Sequence, residues 1–426
     1  MQTQAFHIPK EQQAGFKHRL YHYADGFDTC FLLDNNQNTL NTGTYELVAG
    51  IGAKAVLRVD EPGNAFEQLK SFHASHGSWL LGYLEYDLKN EVEHLVSGNF
   101  DGLGFPVVYF FVPEVLVLVK GEEVTIDAAD PQQVFNAVRL AEISNTYKKP
   151  HINFTPRISK EDYIQKVEQV RRHIEEGDVY ELNLCMEFYA EQAEINPLQT
   201  YLDLIKLSPV PFAAYGKLEN QYHVMCASPE RFMKKTGDRL ISQPIKGTAK
   251  RGKTAEEDET LKQSLLHSEK ERAENVMIVD LVRNDLARSA VTGSVKVDEL
   301  FGIYTFPQVH QMVSTISGTI RQNLHWADAI ALAFPMGSMT GAPKVKAMEL
   351  IEHYEETRRG LFSGAIGYIT PGGDFDFNVV IRSLLYTSQN QYLSYQVGGA
   401  ITYDSNPEQE YQECLLKAKA IRQVWE

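Results

Sequence analysis

The run FPVVYFFVPEVLVLVKG over 105–121 constrains the fold more than any other segment. It is apolar almost throughout, yet shorter than the roughly 20 residues that a membrane helix needs. Pro113 and Glu114 interrupt it. It is expected to form a buried pair of strands turning near those two residues. YELVAGIGAKAVLRV (45–59) and SWLLGYLEYDL (78–88) are strand-rich as well. Further along, strands and helices alternate without the regular βα rhythm of a Rossmann fold or a barrel, and no GxGxxG follows a strand. The expected class is α+β, with large, mostly antiparallel sheets covered by helices.

A polar, Pro-containing stretch from about Asn145 to Arg157 reads as a connection, so the chain divides into regions 1–150 and 151–426. At 426 residues the chain exceeds a typical single core, so one large domain or two intimate lobes is expected. A marked helix follows the connection. Ser159 is its N-cap, Glu161 and Asp162 lie in its first turn, and Gly177 ends it. Tyr163, Val167, Val170 and Ile174 recur at helical spacing along it. Next comes the strand VYELNLCMEF (179–188). Tyr180, Leu182, Leu184, Met186 and Phe188 share one face, and Glu181, Asn183, Cys185 and Glu187 share the other. Such a polar face is solvated or lines a cleft.

The formal net charge of −15 argues against a nucleic-acid binder. No run reaches the length of a membrane span, and MQTQAFHIPK has no apolar signal core. Cys30, Cys185, Cys226 and Cys414 are scattered, with no CxxC pair, as in a cytoplasmic protein with reduced thiols.

Six segments carry chemistry. In SEKERAENVMIVDLVRNDLA (268–287), Ser268 and Glu271 form a capping box, and Glu271 and Glu274 lie three apart on one helix face. Val276, Val279 and Leu286 are expected on its core side. In DSNPEQEYQECLLKAKAI (404–421), Ser405 is the expected cap and Glu408 closes a second box, while Glu410 and Glu413 repeat the acidic spacing. An ExxE pair alone is ordinarily a solvated face. Two such helices together would make an oxygen-rich site that suits Mg²⁺, which takes one or two carboxylates plus water and substrate. GSMTGAPKVKAMELIEHYEE (337–356) fails the phosphate-loop pattern, because Pro343 precedes Lys344 and Val345 follows it. Its glycine-rich turn runs into a helix whose N–H groups suit a carboxylate. Lys246, in SQPIKGTAKRG, and Glu230, in SPERF, are candidate nucleophile or anion-binding cation and candidate acid or base. Arg382 lies in the apolar run FNVVIRSLLY, where an arginine should pair with a carboxylate or an anionic ligand.

Taken in order, SPERF, PIKGT, AENVMIVDLVRNDLAR, PMGSMTGAPKVKAMELI, FSGAIGY, VVIRS and VGGAITYDSNPEQEYQEC resemble the chorismate-utilising family of anthranilate, aminodeoxychorismate, isochorismate and salicylate synthases. The match spans about 155–424. The resemblance implies an anthranilate synthase component I-like fold, two large, mostly antiparallel sheets sandwiched by helices, to which the divergent region 1–150 contributes. It implies Mg²⁺ on Glu274 and Glu413, with Glu271 and Glu410 holding metal-bound water. It places Arg382 on the enolpyruvyl carboxylate of chorismate, assisted by Gly398, Gly399 and Ser338, and puts Thr248 among the substrate-binding residues.

Within the family, a lysine in PIKGT marks aminodeoxychorismate synthases, where it is similar to a nucleophile attacking ring C2. Glu230 matches the acid that protonates the departing C4 hydroxyl. The implied reaction is amination of chorismate by ammonia to 4-amino-4-deoxychorismate, for 4-aminobenzoate and folate synthesis, with ammonia from a separate glutamine amidotransferase subunit. Rival expectations are anthranilate synthase component I, which carries alanine at the lysine position, and a non-catalytic chorismate-binding homologue. Glu181 departs from the lysine of the water-activating branch and from the glutamine common in amine-transferring members. Gln311 stands where the family often has histidine, with His310 one position earlier, and Phe362 stands where it often has tyrosine.

Overall fold

A computed structural model describes residues 2–38, 44–143, 147–306 and 309–426. The first residues of the expected connection, 145 and 146, lie outside that set. The architecture turns on one long ribbon, in which Leu47–Val59 pairs antiparallel with Val108–Lys120. The apolar run at 105–121 is thus one strand and not the expected pair. Pro113 stands opposite Ala53, where the register shifts between Ala53 and Ala55. A proline has no N–H to give to a ladder, and a bulge absorbs the loss by bending the strand instead of ending it.

The bulge divides the ribbon between two sheets. Beyond it, Leu116–Lys120 pairs with Glu123–Ala128 on the outer side. The neighbouring Leu47–Ile51 segment leads through Cys30–Asp34, Phe212–Leu218, Tyr222–Ser228, Ser383–Thr387 and Tyr392–Ile401 to Glu181–Ala190. Before it, Val108–Phe111 pairs with Leu81–Leu84. From there the second sheet runs through Ala365–Ile369, Phe375–Asn378, Arg231–Thr236 and Arg239–Gln243 to Val309–Thr319. Ile245–Lys250 and Lys296–Thr305 both pair with that last strand. Every one of these ladders is antiparallel. Strands from the first 150 residues pair directly with later ones: Cys30–Asp34 with Phe212–Leu218, and Leu80–Leu84 with Ala365–Ile369.

Three apolar clusters set the layers. Phe31, Val48, Tyr83, Phe111, Cys185 and Ile366 pack between the two sheets. Leu182, Leu184, Met186 and Phe188 face outward onto helices that include Lys160–Glu176 and Pro407–Lys417. Val279, Val282 and Leu286 of Glu269–Ala287 pack on the outside of the second sheet. The fold is therefore α+β, two mostly antiparallel sheets sandwiched by helices. The Lys160–Glu176 helix begins and ends as its sequence dictates: Ser159 accepts the Asp162 N–H, and Gly177 closes it at φ 85°. Tyr180, expected on the apolar face of the next strand, precedes that strand and is exposed. All four cysteines are buried and free. Among the described residues no helix is long and apolar enough to cross a membrane.

Candidate active site

The helix Glu269–Ala287 turns its buried stripe, Asn275, Ile278, Val279, Val282, Asp285 and Leu286, toward the second sheet. Ser268 accepts the Glu271 N–H at 3.4 Å. Val276, expected on the core side, is exposed, because it sits roughly a third of a turn away from the centre of that stripe. Glu271 and Glu274 project from the helix's first half.

The helix Pro407–Lys417 starts one residue later than expected. Pro407 occupies its first position, so the cap is Asn406, which accepts the Gln409 N–H at 3.1 Å. Ser405 is freed from capping, and its hydroxyl donates to Glu410 Oε1 at 2.7 Å. Glu408 closes no box with Ser405 and takes Lys160 at 2.7 Å instead. Lys417 holds Glu413 at 2.8 Å and donates to the Gly398 carbonyl at 2.9 Å.

The two helices bring the four carboxylates within electrostatic reach. Burial raises the pKa of Glu271, and Glu274 and Glu413 raise it further. Burial also raises Glu410, with Glu413 adding to the effect despite the Ser405 hydrogen bond. Lys417 lowers Glu413. Carboxyls that oppose one another's ionisation form a donor set that fits a hard divalent cation. Among the described residues, the group of three or more ligating side chains whose ligand atoms lie within 4.8 Å of one another is instead His173, Glu176 and Asp178. Both His173 nitrogens are engaged there, by Asp178 and Tyr354. Glu271, Glu274, Glu410 and Glu413 are the side chains here that could hold such an ion.

Lys246 stands among these acids. It acts electrostatically on Glu181, Glu230, Glu271 and Glu413, lowering the pKa of each. Its strand shifts register between Ile245 and Thr248, at Gly247, where φ is 89°. A Cβ there would meet Glu271 Oε2 at 2.9 Å and Leu265 Cδ1 at 3.2 Å. Glycine thus serves both the left-handed backbone and the close approach of the helix. Thr248 lies opposite Gln311 in the ladder.

Glu230 sits in the turn between Tyr222–Ser228 and Arg231–Thr236 and is buried. Its pKa is pushed up to about 7, chiefly by burial and against the Ser338 hydrogen bond and the charges of Lys246 and Arg382. Glu230 and Ser338 line one small cleft with Ser242, Asp285 and Gly337. The Ser338 turn is tightly held: Asn183 Nδ2 donates to its carbonyl at 3.0 Å, and the Gly337 N–H donates to Asp285 at 3.2 Å. Lys344 also pairs with Asp285, at 2.5 Å. The N–H of Gly337 and the ammonium of Lys344 are thus engaged by a protein carboxylate.

Arg382 lies in a left-handed bend, φ 52°, between Phe375–Asn378 and Ser383–Thr387. The Val379 N–H donates to the Glu230 carbonyl at 3.0 Å, so this bend and the Glu230 turn are tied together. Burial lowers the guanidinium's pKa, with Glu230 pulling the other way. Gly398 and Gly399 pair with Cys185 and Leu184. A Cβ on Gly399 would lie 3.2 Å from Glu410 Oε2 and 3.6 Å from Lys417 Nζ.

The structure thus links Lys246, Glu230, Ser338, Arg382, Gly399 and the four glutamates to one another. Thr248 is two positions from Lys246, and Gly398 is tied to Glu413 through Lys417. Sequence reasoning missed Lys417, although its position four residues after Glu413 marks an ion pair. It also left Glu181 without a role; Glu181 is buried, and neither carboxylate oxygen has a hydrogen-bond partner. Gln311 is likewise buried with its amide unpartnered, while His310 is engaged by Asp258 at 3.0 Å and Thr305 at 2.9 Å. Phe362 belongs to the cluster between the sheets.

Residues 28–423 match the family model described as chorismate binding enzyme. Aminodeoxychorismate synthase component 1 of Bacillus subtilis is 35% identical over 365 residues, 81% of this chain and 76% of that protein. Anthranilate synthase component 1 of Acetivibrio thermocellus is also 35% identical, over 367 residues, 80% of this chain and 74% of that one. The crystal structure of anthranilate synthase component I from Streptococcus pneumoniae superposes with a TM-score of 0.77 at 27% identity, covering 88% of this chain and 91% of that one. With the family model covering nearly its whole length, the chain belongs to the chorismate-binding enzyme family.

Proposed function

We propose that the protein aminates chorismate at C4 with ammonia, giving 4-amino-4-deoxychorismate through a lysine adduct. The observation that carries this reading is Lys246 set beside Glu230, a buried acid whose pKa lies near 7. The reaction needs a nucleophilic amine and a proton donor on the same substrate, and a carboxyl that titrates near neutrality can hold its proton at working pH.

In this scheme, Arg382 and Gly398–Gly399 hold the carboxylates of chorismate, with Ser338 and Thr248 alongside. Glu274 and Glu413 would hold Mg²⁺, and Glu271 and Glu410 would hold its water. When bound, the ion neutralises the ring carboxylate and draws electron density toward it. Lys246 Nζ attacks C2 while the ring diene shifts toward C4. The C4–O bond breaks, and the hydroxyl leaves as water with the Glu230 proton. Ammonia then bonds to C4 as the diene shifts back and the C2–N bond breaks. The proton released by the new amine returns to Glu230. A covalent adduct divides one difficult substitution into two easier ones.

Identity alone does not choose the branch, because an aminodeoxychorismate synthase and an anthranilate synthase match equally, at 35%. Lys246 favours the former. Ammonia would come from a separate glutamine amidotransferase subunit, and the site would work in the cytoplasm for folate synthesis. The test is to incubate the chain with chorismate, ammonium and Mg²⁺ and identify the products by mass. A product retaining the enolpyruvyl group, absent with Lys246→Ala, supports the proposal; anthranilate with pyruvate overturns it.

A further inference from the structure

The helix Glu269–Ala287 carries a third acid, Asp285, about three turns or roughly 16 Å farther along its axis than Glu274. Asp285 is buried and lines the small cleft that also holds Glu230 and Ser338. Each of its oxygens has its own partner. Oδ2 accepts the Gly337 N–H at 3.2 Å, and Oδ1 takes the Lys344 ammonium at 2.5 Å. Lys344 also donates to the Ala333 carbonyl at 3.1 Å. Ala333 ends the helix Trp326–Ala333, and Lys344 begins the helix Lys344–Tyr354. One carboxylate and its counter-ion therefore hold both ends and the middle of the segment 333–344. The approach is close: a Cβ on Gly337 would lie 3.1 Å from Leu281 Cβ and 3.2 Å from Asp285 Oδ2. Thr340 and Asn183 hold the same turn by its carbonyls, at Met336, Gly337 and Ser338. Asp285 holds it by an N–H, one residue before the serine whose hydroxyl hydrogen-bonds Glu230.

We propose that Asp285 is a positioning residue for Ser338: it grips the Gly337 N–H and so fixes where the serine hydroxyl stands in the cleft, with Lys344 as its counter-ion. The inference rests on the reading of this cleft as the place where chorismate reacts. A buried ion pair is by itself a weak source of stability, because desolvating two charges offsets most of their attraction. Two apolar side chains of similar volume could join this helix to the segment 333–344 equally well. What the carboxylate provides, and an apolar pair would not, is an acceptor for the Gly337 N–H. A site works only when its reacting groups are held close to their productive geometry, so a turn that carries Ser338 gains from being fixed on a helix.

Two double variants without the ion pair isolate that acceptor. Asp285→Asn/Lys344→Met keeps an oxygen for the Gly337 N–H, and Asp285→Leu/Lys344→Met does not; neither leaves a buried charge unpaired. kcat/KM for chorismate is measured with ammonium and Mg²⁺. The first double variant is expected within about threefold of wild type, and the second at least about tenfold below it. In a Ser338→Ala background the gap between the two is expected to fall below about twofold, because no hydroxyl remains to be placed. A gap of the same size in both backgrounds, or no gap in the first, overturns the inference and leaves Asp285 a purely structural residue. Should the second double variant not fold, Asp285→Asn alone takes its place, since its NH₂ must then face either the Gly337 N–H or the Lys344 ammonium. If wild type aminates C4 and the gap persists without Ser338, only the role of Asp285 fails. Anthranilate as the wild-type product sinks the lysine mechanism, and the gap still decides Asp285. Wild type that consumes no chorismate overturns both.

Discussion

Ser405 donates a hydrogen bond to Glu410 across 2.7 Å, and this bond exists because Asn406, not Ser405, caps the following helix. A serine released from capping becomes a support for an acid that burial would otherwise tend to protonate. Ser405→Ala is expected to leave the helix intact and to weaken Mg²⁺ binding severalfold, in line with about 1 kcal/mol for one hydrogen bond. Titrating activity against Mg²⁺ in both proteins checks this. An unchanged half-saturation point would remove Glu410 from the cation site.

Glu230 ties stability and activity to pH in the same direction. Its carboxyl titrates at 4.5 ordinarily and at about 7 in the folded chain. The folded state binds this proton more tightly, so the contribution is fully present below about pH 4.5 and is lost as pH rises through about 7. Glu230→Gln, which cannot ionise, is expected to be more stable than wild type at about pH 8, by up to roughly 3 kcal/mol. It should nevertheless lose about 10²-fold or more in kcat, the usual worth of a general acid. Thermal melts and rates of the two proteins, measured across this range, test both expectations.

Arg382 and Glu230 were both legible in the sequence, one as a guanidinium in an apolar run and the other as an acid after a proline. The left-handed bend that presents Arg382 was not legible. It arises where two strands of different sheets meet, and nothing local to VVIRS encodes that meeting. Arg382→Ala is expected to raise KM for chorismate by about 30-fold or more, the loss of roughly 2 kcal/mol of charge-assisted hydrogen bonding, with little change in the melting temperature. An unaltered KM would place the substrate carboxylate elsewhere.

The same contrast runs through the fold. Helix ends such as Ser159 and Gly177, and the acidic pairs on two helices, follow from local rules of capping and spacing. The strand over 108–120 defied its proline because a bulge between Ala53 and Ala55 of the partner strand accommodates it, and that bulge belongs to the pairing of two distant segments. Tyr180 and Val276 alternate or recur correctly, yet each lies just beyond the part of its element that the core covers. Glu181 could be seen in the sequence but not understood there, because its isolation is a property of what does not surround it.

Gly398 and Gly399 are expected to respond differently to alanine. A Cβ on Gly398 would run into the Leu184 carbonyl and the Cys185 side chain of the neighbouring strand, and backbone cannot yield. Gly398→Ala should destabilise by about 1–3 kcal/mol, the range of an overpacked core. A Cβ on Gly399 would meet the ends of Glu410 and Lys417, which can move, at the expense of the proposed cation site. Gly399→Ala should therefore melt close to wild type and lose affinity for Mg²⁺ and chorismate. Equal melting losses in the two variants would contradict this division.

The most direct measurement is the position of new nitrogen on the product. Wild type and Lys246→Ala would each be incubated with chorismate, Mg²⁺ and ¹⁵N-labelled ammonium, and the product examined by NMR. Label bonded to C4 of a ring that keeps its enolpyruvyl group, formed by wild type and not by the variant, is the expected result. Label at C2, with release of pyruvate, or undiminished C4 amination without Lys246, would contradict the account.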